Sequence, residues 1–298
     1  MPEVTRASES QPEAVTAETI RPVSRPLLTM QWRDLAFLHW PVDTGAAARL
    51  MPPGTRPDLF HGVSYAGVIA FRMHDVGVPG LPALPYLGSF PETNVRLYSV
   101  GPDGRRGVVF CSLDAARLLP ALLGRAAVRL PYQWSGMRIR RRGDVISYAS
   151  RRRWPRPGAR LQLALRVGER LDRPSELERF FTARWGLHNT WYGGRVCYLP
   201  NEHPRWPLHA ATLICLEEDL LATAGLPPPA GEPVSVLYSP GVAVRMGAPG
   251  PASSEGRLDP AHRLRDLAET VAARLDGRFR AACCCRTNPR RPAAPPGS

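Results

Sequence analysis

No lysine occurs anywhere in these 298 residues, so all 39 basic side chains are arginine. Arginine forms no Schiff base and scarcely deprotonates, so every mechanism that needs a lysine amine is excluded, whatever the fold. Long apolar runs are missing too. The best, Leu113 to Leu130, is broken by Asp114, Arg117, Pro120 and Arg125, well short of the roughly 18 to 20 apolar residues that span a bilayer. The first residues carry Glu3, Glu9, Glu13 and Glu18 among small side chains, without the charged-then-apolar order of a secretory signal, and the cytoplasm is the expected compartment. There is no Gly-x-Ser-x-Gly elbow, no phosphate loop and no dinucleotide fingerprint.

Metal chemistry finds no support in the spacing of the ligating residues. Cys111, Cys197 and Cys215 sit inside apolar segments and read as small buried hydrophobes in a reducing compartment. Cys283-Cys284-Cys285 falls in a Pro- and Arg-rich tail and reads as incidental. The run Glu202 to His209 lacks the i, i+4 histidine pair of helical zinc motifs, and its prolines forbid a helix. Neither a metal nor a cofactor is expected. His39 and His209, each among aromatic or apolar neighbours, read first as packing residues.

A hydrophobic fraction of 44% supports a sizeable core. The formal charge of +13 is weaker evidence than it looks, since a GC-rich coding bias raises arginine everywhere. The densest basic region combines Arg138, Arg140, Arg141, Arg142, Arg151, Arg152, Arg153 and Arg156 with Tyr148 and Trp154. That pattern suits phosphate backbones, yet coding bias alone would produce much the same face. Nucleic acid is therefore not the expected partner, although an arginine-rich nucleic-acid or protein interaction module remains an alternative.

Composition divides the chain into three parts. Residues 1–29 read as a disordered leader, 30–248 as one β-rich domain, and 249–298 as a mostly disordered tail with a short helix at 260–275. Within the domain, strands are expected at Gln31–Trp40, Val63–Met73, Gln133–Arg140, Val145–Arg152, Arg160–Val167, Leu187–Leu199, Leu208–Leu216 and Pro233–Arg245. Helices are expected at Asp43–Leu50, Ser112–Arg129 (kinked at Pro120), Pro174–Arg184 and Glu217–Ala224. Strands mostly follow one another without long crossovers, which predicts an α+β fold of mostly antiparallel sheet.

The most informative stretch is Phe90-Pro-Glu-Thr-Asn-Val-Arg-Leu-Tyr98. As a strand it puts Glu92, Asn94, Arg96 and Tyr98 on one face and Val95 and Leu97 on the other. After the turn Gly101-Pro-Asp-Gly104 comes Gly107–Ser112, apolar on both faces, which suits a covered strand. A hairpin of the two would aim the polar face into a covered cavity. There Arg96 could hold a carboxylate, with Glu92 close enough to pair with it and to move a proton.

Those residues, with Trp32–Pro41, Gly107–Asp114, Leu130-Pro-Tyr132, His203–His209 and Tyr238–Val242, resemble the YqjF-like family of uncharacterised bacterial proteins, over roughly Met30 to Met246. That family is grouped with the acetoacetate decarboxylase-like superfamily, which implies a barrel-like sheet with a central cavity and a few packed helices. The resemblance places Glu92 at the decarboxylases' acidic position. It also sets Gly124-Arg125 and Pro131-Tyr132-Gln133 opposite the stretch that carries their Schiff-base lysine. Tyr132 and Gln133 stand where the lysines would be, and neither side chain can form an iminium.

The expected function is binding of a small, carboxylate-bearing ligand by Arg96, Asn94, Tyr98 and His39, beside Glu92 and Tyr132 as candidate catalytic groups. Whether the protein is an enzyme is undecided. A lysine-independent lyase, isomerase or hydrolase using Glu92 as acid or base is the catalytic alternative, and a homo-oligomer stays open. Borohydride with acetoacetate or pyruvate should trap no adduct on any side chain, and intact mass before and after reduction checks this.

Overall fold

An isolated strand leaves N–H and C=O groups unpaired along both edges, and this chain satisfies most of them by closing its sheet on itself. The structure, a computed structural model, describes residues 10–252 except 84–85, 128 and 192–193 and the side chains of 123, 124, 126 and 127. The expected helix at 260–275 and the triplet Cys283–Cys285 lie outside the described residues.

Chain order runs β1 (Leu28–Val42), α1 (Thr44–Arg49), β2 (Arg56–Pro57), β3 (Ser64–Gly77), β4 (Phe90–Val100), β5 (Arg106–Ala115), α2 (Leu118–Ala127), β6 (Tyr132–Arg142), β7 (Val145–Trp154), β8 (Arg160–Arg170), α3 (Glu176–Thr182), β9 (Gly186–Thr190), β10 (Val196–Glu202), β11 (His209–Glu218), α4 (Leu220–Thr223), β12 (Ser235–Met246) and β13 (Gly250–Pro251). Strands dominate, helices are few and short, and the pairings are antiparallel except β5–β6 and β5–β9. This is the α+β, mostly antiparallel barrel expected from the chain.

Nine strands close a ring in the order β5-β6-β7-β8-β11-β12-β1-β3-β4 and back to β5. A second circuit uses β12, β1, β3, β4 and β5 again and returns through β9 and β10, which pairs with β12 at Asn201 and Glu202. The five shared strands form a wall whose central stretches, such as Leu35–Trp40 and Ala66–Phe71, are buried on both faces, while β1 and β12 reach water at Arg33, Ala243 and Arg245. One side carries Ala36, Leu38, Val68, Ala70, Val95 and Leu97 against Ile146, Tyr148, Leu161, Leu163 and Leu165 of β7 and β8. That apolar set fills the nine-strand ring. The opposite side, with Phe37, Ile69, Phe71 and Tyr98, faces β9, β10, α3 and the segment through Trp206.

A bulge in β5 sorts its residues between the two sides. Phe110 pairs with Arg96 and Ser112 with Val95, so Cys111 is the extra residue and the side-chain alternation changes phase there. Asp114 is thereby turned into the nine-strand ring. It receives Arg152 in a two-pronged ion pair, Nε at 2.9 Å and Nη2 at 2.7 Å, and the Ser135 hydroxyl at 2.6 Å. Both partners are essentially out of water, Asp114 at 0% and Arg152 at 4% exposure.

Several elements depart from expectation for local reasons. Ser112–Ala115, read as the start of a helix, stays in β5, because Leu113, Asp114 and Ala115 pair with β4 on one edge and β6 on the other. Helix α2 begins at Leu118, so Pro120 lies in the first turn, where a missing N–H breaks no helical bond. Leu187–Leu199 is two strands, β9 and β10, rather than one. The helix expected at Glu217–Ala224 shrinks to α4, since Glu217 and Glu218 pair with β8. By contrast α3 carries a full capping box, Ser175 accepting from the Glu178 N–H and Glu178 reaching back to the Ser175 N–H.

The leader also departs from its expected disorder over residues 10–27. The Glu13 N–H donates to Gly104 O at 2.9 Å, the Val23 N–H to Glu202 Oε2 at 2.7 Å and the Leu27 N–H to Met246 O at 2.8 Å. Val23 is buried. Composition missed these contacts because backbone donors, not apolar side chains, make most of them.

Arg152→Ala strands Asp114 as an unpaired buried charge and should cost about 3 to 5 kcal/mol. Removing Arg166, whose pair with Asp144 is more than half exposed on both sides, should cost about 0 to 1 kcal/mol. Urea denaturation of the two variants checks the contrast.

Candidate functional site

Strand alternation puts Glu92, Asn94, Arg96 and Tyr98 of β4 on the side of the wall away from the nine-strand ring, opposite Phe71, Ile69 and Gly67 of β3. His39 of β1, paired with Gly67, lies on the same face. Tyr132 enters at the first position of β6. These are the six residues singled out from the sequence, and the fold distributes them into two groups.

The first group is Glu92 with Tyr132. The Tyr132 hydroxyl donates to Glu92 Oε2 at 3.3 Å, the one hydrogen bond of that carboxyl among the described residues. The ion pair expected between Glu92 and Arg96 does not form. Spacing along a strand fixes which face a side chain takes but not which way a long side chain bends, and the guanidinium of Arg96 bends toward α3. Glu92 is left 3% exposed with no cation against it. Burial pushes its carboxyl up to about 8, opposed by the Tyr132 hydrogen bond and reinforced by the charge of Asp114. Burial likewise pushes the Tyr132 phenol well above its usual range, helped by Glu92.

The second group surrounds Arg96. Its Nη2 donates to the carbonyl of Phe181 at 3.1 Å, and the guanidinium lies 5.8 Å from the Phe37 ring centre and 5.5 Å from that of Tyr98. His39 stacks on Phe181 at 3.8 Å and sits 5.9 Å from Tyr98. Burial, with Arg96 nearby, drives His39 well below its ordinary range, so its ring is neutral. Gly67 makes room here, because a Cβ on it would lie 3.3 Å from both His39 Nε2 and the Tyr98 oxygen.

The polar atoms of this group are poorly matched by protein. Both ring nitrogens of His39, Asn94 Oδ1, Arg96 Nε and the Tyr98 hydroxyl are buried without a hydrogen-bond partner. Buried polar atoms are nearly always paired with protein or water. Five such atoms gather on one face, around the Arg96 guanidinium.

Sequence reasoning missed much of the surroundings. Phe181 comes from α3, whose capping box was readable while its docking position was not. His203 and Trp206, in a run read as carrying no function, form part of the same aromatic wall: their rings lie 4.7 Å apart, and Trp206 meets Phe37 edge-on at 5.3 Å. Burial takes His203 down to about 4, with Arg96 contributing. Behind the wall, Asp58 Oδ2 accepts from Arg184 at 2.5 Å and also from Arg106. The Arg184 guanidinium lies 4.8 Å from the Tyr98 ring centre, which fixes Tyr98 from behind. Only the tryptophan and histidine spacing of 203–206 offered any signal.

Comparison with known proteins agrees with this architecture. Residues 29–243 match the DUF2071 family, described as "Uncharacterized conserved protein". The chain belongs to that family. It is 30% identical over 186 residues to the "Uncharacterized protein YqjF" of Bacillus subtilis (strain 168), covering 62% of this chain and 76% of that one. Among solved structures it is similar to the enduracididine biosynthesis enzyme MppR complexed with pyruvate. That match has a TM-score of 0.55 at 15% identity and covers 78% of this chain and 93% of that one. It is also similar to an acetoacetate decarboxylase-like enzyme from Sphingomonas wittichii RW1. There the TM-score is 0.52 at 14% identity, over 76% and 92% of the two chains. The DUF2071 chain thus has the acetoacetate decarboxylase-like fold, as the sequence motifs implied. No helix among the described residues is long and apolar enough to cross a membrane.

The raised Glu92 carboxyl has a consequence for stability. Between the ordinary glutamate value and about 8, the folded state holds a proton that the unfolded chain has released, so stability is full below that window and falls as pH rises through it. Glu92→Gln keeps the shape and removes the titration. Relative to the wild type it should gain stability from pH 5 to pH 8, by up to about 4 kcal/mol. Denaturant titrations of both proteins at the two pH values provide the check.

Proposed function

We propose that this protein binds a small carboxylate-bearing ligand on the face lined by His39, Asn94, Arg96 and Tyr98, in the cytoplasm and without a Schiff-base step. The observation that carries the reading is the cluster of five unpartnered buried polar atoms around one guanidinium. Arg96 spends Nη2 on the Phe181 carbonyl, leaving other donors of its fork to meet a carboxylate. Neutral His39 and the Tyr98 hydroxyl can orient the rest of the molecule. The aromatic wall of Phe37, Phe181, His203 and Trp206 excludes water and strengthens each of these contacts. MppR, a protein of similar fold, is complexed with pyruvate, an acid of this kind.

One observation favours a catalytic second reading. Glu92 has a raised carboxyl in contact with the Tyr132 hydroxyl, so at neutral pH it holds a proton that it can donate. A lyase, isomerase or hydrolase would use Glu92 as acid or base and Tyr132 as its hydrogen-bonding partner. The arginine-free Glu92 environment supports this role better than the pairing first expected, because a salt-bridged carboxylate would stay ionised.

Thermal-shift screening against 2-keto acids, 3-keto acids and sugar acids tests both readings. Binding alone predicts a hit whose affinity falls tenfold or more in Arg96→Ala and survives in Glu92→Gln. Catalysis predicts that Glu92→Gln binds normally and turns over at least 100-fold more slowly. If no acid binds, or if binding ignores Arg96→Ala, the carboxylate reading fails.

A further inference from the structure

Residues 13–25 do not lie flat on the domain. They are held at Glu13 and at Val23, and between these points they bow over a cavity of about 270 Å³. The roof carries Glu13, Arg21 and Arg25, and the floor carries Arg105, Arg106 and Trp185. Four arginines therefore line the space, three of them in ion pairs, Arg21 with Glu13, Arg105 with Asp103 and Arg106 with Asp58, and Arg25 in none among the described residues. None of the six residues of the Glu92 and Arg96 face lines it.

The floor and roof spend only part of their donors on the protein. Arg105 uses Nε and Nη2 on Asp103 and the Pro251 carbonyl, while Arg106 uses Nε on Glu13 O and Nη1 on Asp58. Arg21 engages Glu13 through Nη2. Among the described residues this leaves Arg105 Nη1, Arg106 Nη2, Arg21 Nε and Nη1, and the Arg25 guanidinium without a hydrogen-bond partner. The Trp185 indole N–H is buried and has no hydrogen-bond partner among the described residues. A lining so rich in donors and positive charge is complementary to an acceptor-rich anion. The volume of about 270 Å³ sits just under the lower end of ordinary small-molecule pockets, about 300 Å³, which suits a compact metabolite.

We propose that this cavity is a second ligand site, taking a small metabolite that bears phosphate or several carboxylate groups and clamping residues 13–25 onto the domain. Arg21 reaches the guest from the roof and Arg105 and Arg106 from the floor, so the anion bridges two walls that otherwise meet through a few hydrogen bonds. Arg21 is the discriminating residue. Its side chain is 53% exposed, and its replacement leaves the barrel untouched.

Calorimetric titration of the full chain with inorganic pyrophosphate and with citrate, at constant ionic strength, tests the site. Saturable binding of at least one probe is expected, weakened tenfold or more by Arg21→Glu and kept in Arg96→Ala. Pyrophosphate alone would identify a phosphate site and citrate alone a carboxylate site. Amide exchange across residues 14–22 should slow when the probe is bound. The proposal is overturned if neither probe saturates. It is also overturned if binding survives Arg21→Glu but is lost in Arg96→Ala, which would place the anion on the barrel face, or if exchange across 14–22 does not respond.

Discussion

Two closed circuits of strands share one wall, and nearly everything distinctive about this protein follows from that sharing. Over their central stretches β12, β1, β3, β4 and β5 bury both faces, so a polar side chain there must find its partner inside the protein. Apolar residues answer this over most of the nine-strand side, with exceptions in the Asp114, Arg152 and Ser135 group and at Thr93, Ser112 and Ser150. The other side keeps its polar residues and leaves five of their atoms unanswered. The two sides thus differ in kind, one packed mainly by aliphatic side chains and the other by aromatic and polar ones.

Electrostatics on the aromatic face is governed first by burial. Burial, with Arg96 contributing, keeps His39 and His203 neutral, and burial with no cation close by leaves Glu92 holding its proton. The phenol of Tyr132, the hydrogen-bonding partner of Glu92, is held neutral by burial and by Glu92. The pair can exchange a hydrogen-bonded proton but cannot form a covalent bond to a carbonyl carbon through nitrogen.

Much of this was legible in the chain. The alternation of Glu92, Asn94, Arg96 and Tyr98 fixed their shared face, and the hairpin with β5 followed from Gly101–Gly104. The hairpin β6–β7 and its neighbour β8 were equally readable, because their period-two patterns are local. What could not be read was set by distant partners. The parallel contact of β5 with β6 overrode a helical pattern at Ser112–Ala115. The bend of Arg96 depends on the Phe181 carbonyl, 85 positions away. Asp58, held by Arg106 and Arg184, gave no sequence signal because each partner comes from a different element.

The bulge at Cys111 carries an evolutionary implication. Every residue of β5 beyond the bulge still takes the compartment of its β4 partner, Leu113 that of Asn94 and Asp114 that of Thr93. Without Cys111, Phe110 and Ser112 would be consecutive and would keep those partners, so a shortened β5 would still hold Asp114 beside Arg152. Lineages of this fold can be expected to tolerate the gain or loss of one residue at this point without moving a charge between the two sides of the wall.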